Sequence, residues 1–408
     1  MNNFTSVFTN LHTAGGRLGY LAVAGGRIVA IGQSGEAPPP TGTTIDLGGR
    51  LVVPGFVEGH CHLDFSFYGG AWQPYRSGPD GFVVRERVAF QRDNFARAEP
   101  VSVRARRHVE LSLGHGATSM RCHVMVDNEL GLSHLEALLE VREAYRDRID
   151  IEFVAFPQSG ILTNPGTDKL LDEAVQRGCT LIGGLDPASF DRDVEKHLDV
   201  VFGIAERRGV GVDIHLHDGG TLGIFEIEQI ASRTAALGMA GHVAVSHAYA
   251  LGQVPESLLR RTADRLAEAG VAIMTIAPHD ISFPPVGPLR AAGVTVFSGS
   301  DNIRDSWWPY GDGDMLRRAN SIGHRSSFFT DAQLADALDV VTYAGARALR
   351  LEGYGLGVGD RADFVALPAA HVPEAVVAVP AERSVYKAGV LVAENGVVLN
   401  SLVQPKSA

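Results

Sequence analysis

Short apolar runs bounded by glycine, proline or aspartate recur eight times through the middle of the chain, and they constrain its fold more than any other feature. The first is LVVPGFVEGHCHLD, and the others are ATSMRCHVMV, IEFVAFPQSG, TLIGGLDP, GVDIHLHD, HVAVSHAYA, VAIMTIAPHD and VTVFSGSDN. Stretches of helical periodicity, such as LSHLEALLEVREAYRDR, separate most of them. Strand and helix alternating eight times predict a (β/α)8 TIM barrel, which we assign to residues 54–354.

The two ends of the chain have a different pattern. Residues 1–53 alternate short apolar runs with Gly-rich turns, and residues 355–408 repeat this pattern and include the turn Asn395-Gly396. Such runs predict paired strands, and an Asn-Gly pair between them predicts a hairpin. We therefore expect both ends to pack together as one small β-sandwich domain beside the barrel.

Polar side chains lie near the carboxyl end of nearly every predicted barrel strand. The carboxyl ends of barrel strands form the face on which active sites are built, so these residues are the candidates for chemistry. They are His60, His62, His123, Gln158, His215, His217, His247, His279 and Asp301.

The HxH pair on the first strand predicts a metal site. Side chains alternate across a strand, so His60 and His62 point to the same face and can bind one ion together. His215 on the fifth strand and Asp301 on the eighth complete a set of three nitrogens and one oxygen. Zn²⁺ and Fe²⁺ accept these ligands, and a catalytic site keeps one position open for water. We expect one such ion per subunit.

Composition excludes several classes of protein. The net charge of −11 without a basic block argues against nucleic acid and anionic membranes as partners. No apolar run reaches the roughly 18 residues of a membrane span, and the start of the chain lacks a signal pattern, so we expect a cytoplasmic protein. A small N-heterocyclic molecule is the expected partner, and a homo-oligomer is compatible with the sequence. Cys61, Cys122 and Cys179 are expected to be buried free thiols.

Several longer motifs resemble one known family. The stretches PGFVEGHCHLD, RCHV, VAFPQSGIL, DIHLHD, SHA and SDNIRDSWWPYGDGDML are similar, in order and spacing, to the amidohydrolase superfamily and specifically to its cytosine deaminase branch. The resemblance covers nearly the whole chain. It implies that the four candidate ligands named above bind a metal, and it implies roles for other residues, which are these: His247 contacts a metal-bound hydroxide, Gln158 and Phe156 contact the substrate, and Trp307 forms a wall of the substrate pocket.

The resemblance also implies a mechanism. Binuclear relatives bridge two metals with a lysine on the fourth strand, but that strand reads TLIGGLDP here, so we expect a single ion. A bound cation lowers the pKa of water from about 15.7 towards 7. Asp301 is expected to act as both ligand and base, and Asp218 as the group that carries the proton to the ring and the departing amine. His217 is the alternative to Asp218, because alternation directs it to the same face as His215.

Two positions depart from the cytosine deaminase pattern. Asp218 replaces a glutamate, and Asn302, a predicted substrate contact, replaces a second aspartate. The substrate must therefore sit differently from cytosine or be larger. His123 and His279 are expected at the barrel mouth, where either substrate contact or structural hydrogen bonding would suit them.

Three functions remain open from the sequence. The first is a metal-dependent deaminase that releases ammonia from a cytosine-like N-heterocycle. The second is an aminohydrolase that removes an alkylamine from a hydroxylated s-triazine, as the related N-isopropylammelide hydrolases do. The third is a non-catalytic scaffold on the same fold, which the complete set of four ligands disfavours.

Overall fold

The computed structural model describes residues 5–40, 43–76, 83–279 and 281–403. Eight parallel strands form a barrel in sequence order. The barrel strands are β5 (Phe56–Cys61), β6 (Ala117–Met125), β7 (Asp150–Phe156), β8 (Leu181–Leu185), β9 (Gly211–Leu216), β10 (Val243–His247), β11 (Val271–Met274) and β12 (Val296–Phe297). Each lies in one of the eight apolar runs, so the predicted (β/α)8 barrel is confirmed.

Helices cover the outside of the barrel. Their bounds are α1 (Val84–Phe95), α2 (Val101–Gly114), α3 (Ser133–Tyr145), α4 (Thr167–Arg177), α5 (Val194–Arg208), α6 (Gly220–Ala236), a 3₁₀ turn (Tyr249–Gly252), α7 (Glu256–Ala269), α8 (Val286–Ala291), α9 (Met315–Arg325), α10 (Asp331–Val340), α11 (Tyr343–Ala348) and α12 (Val372–Ala378). Nearly every barrel-strand residue is buried, as expected for parallel strands covered on both faces.

The barrel closes between its first and last strands through backbone hydrogen bonds. The amide of Gly59 donates to the carbonyl of Ser298 at 3.0 Å, and the amide of Asp301 donates to the carbonyl of His60 at 2.8 Å. A Cβ on Gly299 would lie 2.4 Å from the backbone nitrogen of His60. Only glycine fits this close approach, which brings the ends of β5 and β12 together.

Strands from both chain termini form a second sheet. They are β1 (Ser6–Thr13), β2 (Gly16–Ala24), β3 (Arg27–Gln33), β4 (Thr44–Pro54), β13 (Phe364–Leu367), β14 (Ser384–Lys387), β15 (Val390–Glu394) and β16 (Val397–Val398). They form one eight-stranded sheet, mostly antiparallel, with β4 joining the two terminal segments. The turn Asn395-Gly396 connects the β15–β16 hairpin, as predicted, with positive φ at both residues.

The terminal sheet packs on the amino-terminal side of the barrel strands. Lys387 on β14 donates to the carbonyl of Thr118 and to the carboxylates of Asp150 and Asp363, each within 3.0 Å. Residues 118 and 150 stand at the starts of β6 and β7. The terminal sheet therefore does not cover the carboxyl ends of the barrel strands, where the candidate functional residues lie.

The three cysteines are free and buried, as expected. Within the described part of the chain, no helix has the length and apolar character that crossing a membrane requires.

Candidate metal centre and active site

Four predicted ligands from β5, β9 and the end of β12 meet on the barrel axis. One ligand atom from each of them lies within 4.8 Å of all the others, and the set is His60, His62, His215 and Asp301. Nε2 of His62 lies 3.3 Å from Nε2 of His215 and 3.3 Å from Oδ1 of Asp301, and Nε2 of His60 lies 3.5 Å from that oxygen. Ligands about 2.1 Å from one ion in a tetrahedron would be about 3.4 Å apart, so the spacing fits a bound Zn²⁺ or Fe²⁺.

Hydrogen bonds fix the orientation of two of the ligand rings. Nδ1 of His62 lies 3.2 Å from the carbonyl of His123, which can only accept, so this nitrogen carries the proton. Nδ1 of His60 lies 3.0 Å from the hydroxyl of Ser246, which donates its own proton to Asp213 at 2.7 Å. In both rings the lone pair is therefore on Nε2, the atom that faces the other ligands.

Electrostatics keep the ligand set in the state that a cation requires. Burial lowers the pKa of His60 and holds the pKa of His215 well below its ordinary value, so both rings are neutral. Burial alone would raise the pKa of Asp301, but interactions with His247, His60 and His62 hold it well below its ordinary value. The neutral rings of His60 and His215 thus face one carboxylate. Nε2 of His60 is buried and has no hydrogen-bond partner among the described residues, as expected of a metal-binding atom.

A second group of possible ligands lies below the first. His60, His123 and Asp213 also bring ligand atoms within 4.8 Å of one another. However, the guanidinium of Arg121 donates to Asp213 at 2.9 Å and is itself buried, so a positive charge already neutralises that carboxylate. A cation there would repel Arg121, which supports the expectation of a single ion.

The two candidates for proton transfer have different surroundings. The ring of His217 stacks on the ring of His247 at 4.5 Å, and its Nδ1 lies 3.0 Å from the carboxylate of Asp186. Burial lowers the pKa of His217, but the carboxylates of Asp186, Asp301 and Asp218 together raise it, so the net shift of the pKa is upward. Asp218 accepts a hydrogen bond from the amide of Ser189 at 3.1 Å. The structure thus brings His217 against His247, whereas Asp218 faces the loop that follows β8.

Asp218 also has a carboxyl neighbour. Burial and the nearby Asp218 together raise the pKa of Glu226 to about 9, so Glu226 carries a proton at neutral pH. Which of His217 and Asp218 transfers the proton stays a prediction.

Two residues of the site, His247 and Asp301, have a strained backbone. His247 and Asp301 have φ values of 71° and 58°, in the left-handed region that residues other than glycine rarely adopt. Such strain persists where surrounding structure holds it, commonly at functional sites.

An apolar cluster lies against the ligand rings. The ring of Phe156 stacks on His215 at 4.0 Å, and the ring of Phe65 stacks on His62 at 4.3 Å. Both belong to one buried cluster, whose members are Phe65, Val88, Met125, Phe156, Leu185, Phe190 and Trp307. Of the predicted substrate contacts, Phe156 therefore borders the ligand rings and Trp307 belongs to the same cluster, and the exposed surface of both is small.

The remaining predicted residues lie around this cluster. The side chain of Gln158 is buried and makes no hydrogen bond within the described residues. The Trp307 indole donates to Gln91 at 2.8 Å, and Asn302 donates to Asp305 at 2.8 Å. His123 is fully buried and supplies the carbonyl that orients His62, whereas His279 is exposed.

Sequence reasoning missed four polar residues that support the site. Ser246 and Asp213 orient His60, Asp186 binds His217, and Asp305 binds Asn302. Alternation could have found Asp213, which precedes His215 by two positions on β9. Asp186 directly follows β8, so its place at a strand end was a further signal. No sequence pattern indicated Ser246 or Asp305.

A sequence profile of the amidohydrolase family matches residues 43–398. The chain therefore belongs to the amidohydrolase family. It is an amidohydrolase-superfamily enzyme that hydrolyses C–N bonds.

Three relatives show which members of the family this chain is similar to. The crystal structure of N-isopropylammelide isopropylaminohydrolase from Burkholderia multivorans is 42% identical, covers 97% of this chain and 99% of its own, and superposes with a TM-score of 0.91. N-isopropylammelide isopropyl amidohydrolase from Pseudomonas sp. strain ADP is 32% identical over 93% of this chain and 94% of its own. The structure of 5-methylcytosine deaminase from Klebsiella pneumoniae is 26% identical, covers 95% and 97%, and has a TM-score of 0.83.

Proposed function

We propose that this enzyme uses one divalent metal ion to remove an alkylamine from an N-heterocycle of the hydroxylated s-triazine type. The observation that carries the proposal is the convergence of His60, His62, His215 and Asp301 at the carboxyl ends of the barrel strands, with their ligand atoms within 4.8 Å. The similarity to two N-isopropylammelide hydrolases over almost their whole length supports the substrate class.

A metal ion held there would lower the pKa of a water molecule towards 7 and so supply the nucleophile. Asp301 holds its carboxylate ionised beside the ligand rings, so it can accept the proton that the water releases. Nε2 of His247 is buried and has no hydrogen-bond partner among the described residues. It is placed to orient the nucleophile and to stabilise negative charge on the oxygen during attack.

The departing amine needs a proton. We assign this transfer to Asp218, and His217 is the alternative, since Asp186 orients it and its ring contacts His247. Carboxyl and imidazole groups both serve as general acids and bases in enzymes.

The apolar cluster favours an alkylamine over ammonia as the leaving group. Phe65 and Phe156 lie on two metal ligands, and Met125, Leu185 and Phe190 lie in the same cluster. An apolar surface beside the reacting centre stabilises an alkyl substituent by excluding it from water, at about 0.8 kcal/mol for each buried CH₂ group. A bare amino group gains nothing from this surface.

Polar groups nearby suit a ring with lactam edges. The Gln158 side chain can donate to a carbonyl oxygen and accept from a ring N–H at the same time. Because it is buried without a partner in the described structure, it is available to a ligand. Asn302 adds a second amide at the end of β12.

The experiment that tests the proposal measures both possible products. The purified protein, loaded with Zn²⁺ or with Fe²⁺, is incubated with N-isopropylammelide, cytosine, 5-methylcytosine and an aminotriazine, and isopropylamine and ammonia are quantified. We expect isopropylamine from the first compound. Release of neither product from the full panel would contradict the proposed function.

The second candidate function is hydrolytic deamination of a cytosine-like ring, which the sequence analysis placed first. The similarity in fold to 5-methylcytosine deaminase and the complete ligand set favour it. Ammonia from cytosine or 5-methylcytosine, with no isopropylamine from N-isopropylammelide, would select this candidate.

A further inference from the structure

Asp305 is a buried carboxylate that no role in the proposed reaction requires. It stands four residues after the ligand Asp301, in the loop that follows β12, and is 4% exposed. Its Oδ1 accepts from the backbone amides of Trp307 at 2.8 Å and Trp308 at 2.9 Å, and its own amide donates to the carbonyl of Trp308 at 3.0 Å. One oxygen of Asp305 thus holds the turn that places Trp307.

The other oxygen of Asp305 determines the orientation of the Asn302 side-chain amide. Oδ2 of Asp305 lies 2.8 Å from the side-chain amide of Asn302. A carboxylate can only accept, so the NH₂ group of Asn302 must face Asp305 and the amide oxygen must face away from it. The chemistry of the partner therefore fixes the orientation of the Asn302 side-chain amide.

The amide oxygen of Asn302 is left free for another donor. It accepts no hydrogen bond within the described residues, and the residue is only partly buried. The neighbouring indole of Trp307 has already donated its N–H to Gln91 at 2.8 Å, so it offers a substrate its ring surface and no donor. Beside the ligand Asp301, Asn302 presents an acceptor and no donor.

We propose that Asp305 is a specificity-determining positioning residue, which holds Asn302 as an acceptor so that the site selects heterocycles with an N–H group next to the reacting carbon. The inference rests on the proposed function and adds a requirement to it. The N–H can belong to a ring nitrogen or to a secondary alkylamino group. Methylation of that nitrogen removes the donor and leaves the oxygen of Asn302 unpaired, which a site built for a donor rejects.

A carboxylate at position 302 would face the carboxylate of Asp305, and two carboxylates in contact cannot both stay ionised. The neutral amide of Asn302 avoids this repulsion and still offers an acceptor to the substrate.

The test reverses the polarity of the pair without changing its shape. In Asp305→Asn, the oxygen that holds the turn is retained, but the other position becomes an NH₂ group. Asn302 must then turn its oxygen towards residue 305 and its NH₂ towards the pocket. We expect kcat/KM for a secondary alkylamino or ring N–H substrate to fall about tenfold or more. One hydrogen bond to the substrate is lost, and the NH₂ group of Asn302 then faces the N–H group of the substrate. Most of the change is expected in KM.

A double variant restores the original polarity. In Asn302→Asp with Asp305→Asn, the new amide donates to the new carboxylate, whose second oxygen again offers an acceptor to the pocket. We expect this swap to recover most of the preference for N–H over N-methyl substrates, whereas Asn302→Asp alone does not. Asp312→Asn is the matched control, because Asp312 lies in the same segment and binds Arg317 and the amide of Asp314 instead of Asn302.

The readouts separate the possible outcomes. Each variant is measured for metal content, melting temperature and kcat/KM with each N–H substrate and its N-methyl analogue. A preference for N–H that disappears in Asp305→Asn and returns in the double variant supports the inference. An equal loss for both substrates with no recovery makes Asp305 a structural brace and overturns it. If the wild-type protein converts no heterocycle, the proposed function fails first, and this inference fails with it.

Discussion

The floor and the rim of the site are built in different ways. The floor, which comprises Arg121, Asp213 and Ser246, forms a continuous chain of hydrogen bonds that ends on His60, and its members are buried. The rim comprises Gln158, His217, Asn302 and the apolar cluster. Within the described residues, the side-chain amide of Gln158 makes no hydrogen bond, and the amide oxygen of Asn302 accepts none. The hydrogen bonds of the floor are all made without a substrate, whereas those of the rim are not.

This difference has a physical reason. A metal ligand must already have its orientation and tautomer when the ion arrives, so its partners are part of the protein. A substrate-binding amide must leave its hydrogen bonds unmade until the substrate supplies them. Substitutions in the floor should therefore change metal binding, and substitutions in the rim should change turnover and selectivity.

The largest effect is expected where floor and rim meet, at Asp301. Asp301→Asn replaces an ionised oxygen ligand and proton acceptor by a neutral amide, so turnover should fall by about four orders of magnitude or more. Metal content measured by mass spectrometry should fall with it. His279→Asn, at an exposed position, is the control, and near-normal turnover by Asp301→Asn would refute both assigned roles.

The next effect concerns proton transfer at the rim. Asp218→Asn should retain the metal and lose turnover by several orders of magnitude, because the group that protonates the leaving amine is gone. His217→Asn is its partner experiment, measured at saturating metal. If His217→Asn shows the large loss and Asp218→Asn does not, then His217, oriented by Asp186, carries the proton.

A smaller effect is expected in the floor. Ser246→Ala removes the acceptor that fixes the tautomer of His60, so metal affinity should fall about 10- to 100-fold. At saturating metal, kcat should remain within a few fold of the wild-type value. Ser298→Ala is the matched control, since the hydroxyl of Ser298 is also buried at a strand end but donates to the carbonyl of Thr275. Equal metal affinities in the two variants would contradict the role of Ser246.

The smallest effect is expected for the apolar part of the rim. Leu185→Ala removes part of the cluster against which we place the alkyl group, so kcat/KM for an alkylamino substrate should fall about tenfold. The value for the matching amino-substituted ring should change less, and metal content should not change. An equal loss for the two substrates would argue against an alkyl-binding surface.

The fold was predictable because each barrel strand is a short apolar run with clear ends. The convergence of His60, His62, His215 and Asp301 was predictable for a related reason: strand ends converge in a barrel, so residues far apart in sequence share one place. The prediction of paired strands at both ends was also confirmed. Their assembly around β4 into one sheet required knowledge of the strand order, which periodicity does not contain.

The support of the site was harder to predict. In the sequence, Ser246 looks like any buried serine. Only its contacts with His60 and Asp213, which come from other strands, distinguish it. Asp305 lies in a loop, where no periodicity indicates the direction of a side chain. The sequence also leaves His217 and Asp218 undecided, since alternation no longer holds once a strand ends.

The closure between β5 and β12 has a consequence for how the protein matures. His60 and Asp301 come from the first and last barrel strands, and the backbone amide of Asp301 donates to the carbonyl of His60. During synthesis, the set of four residues is complete only after the ribosome has released the last barrel strand and the barrel has closed. A chain that stalls before closure therefore has the three histidines of this set without the carboxylate of Asp301.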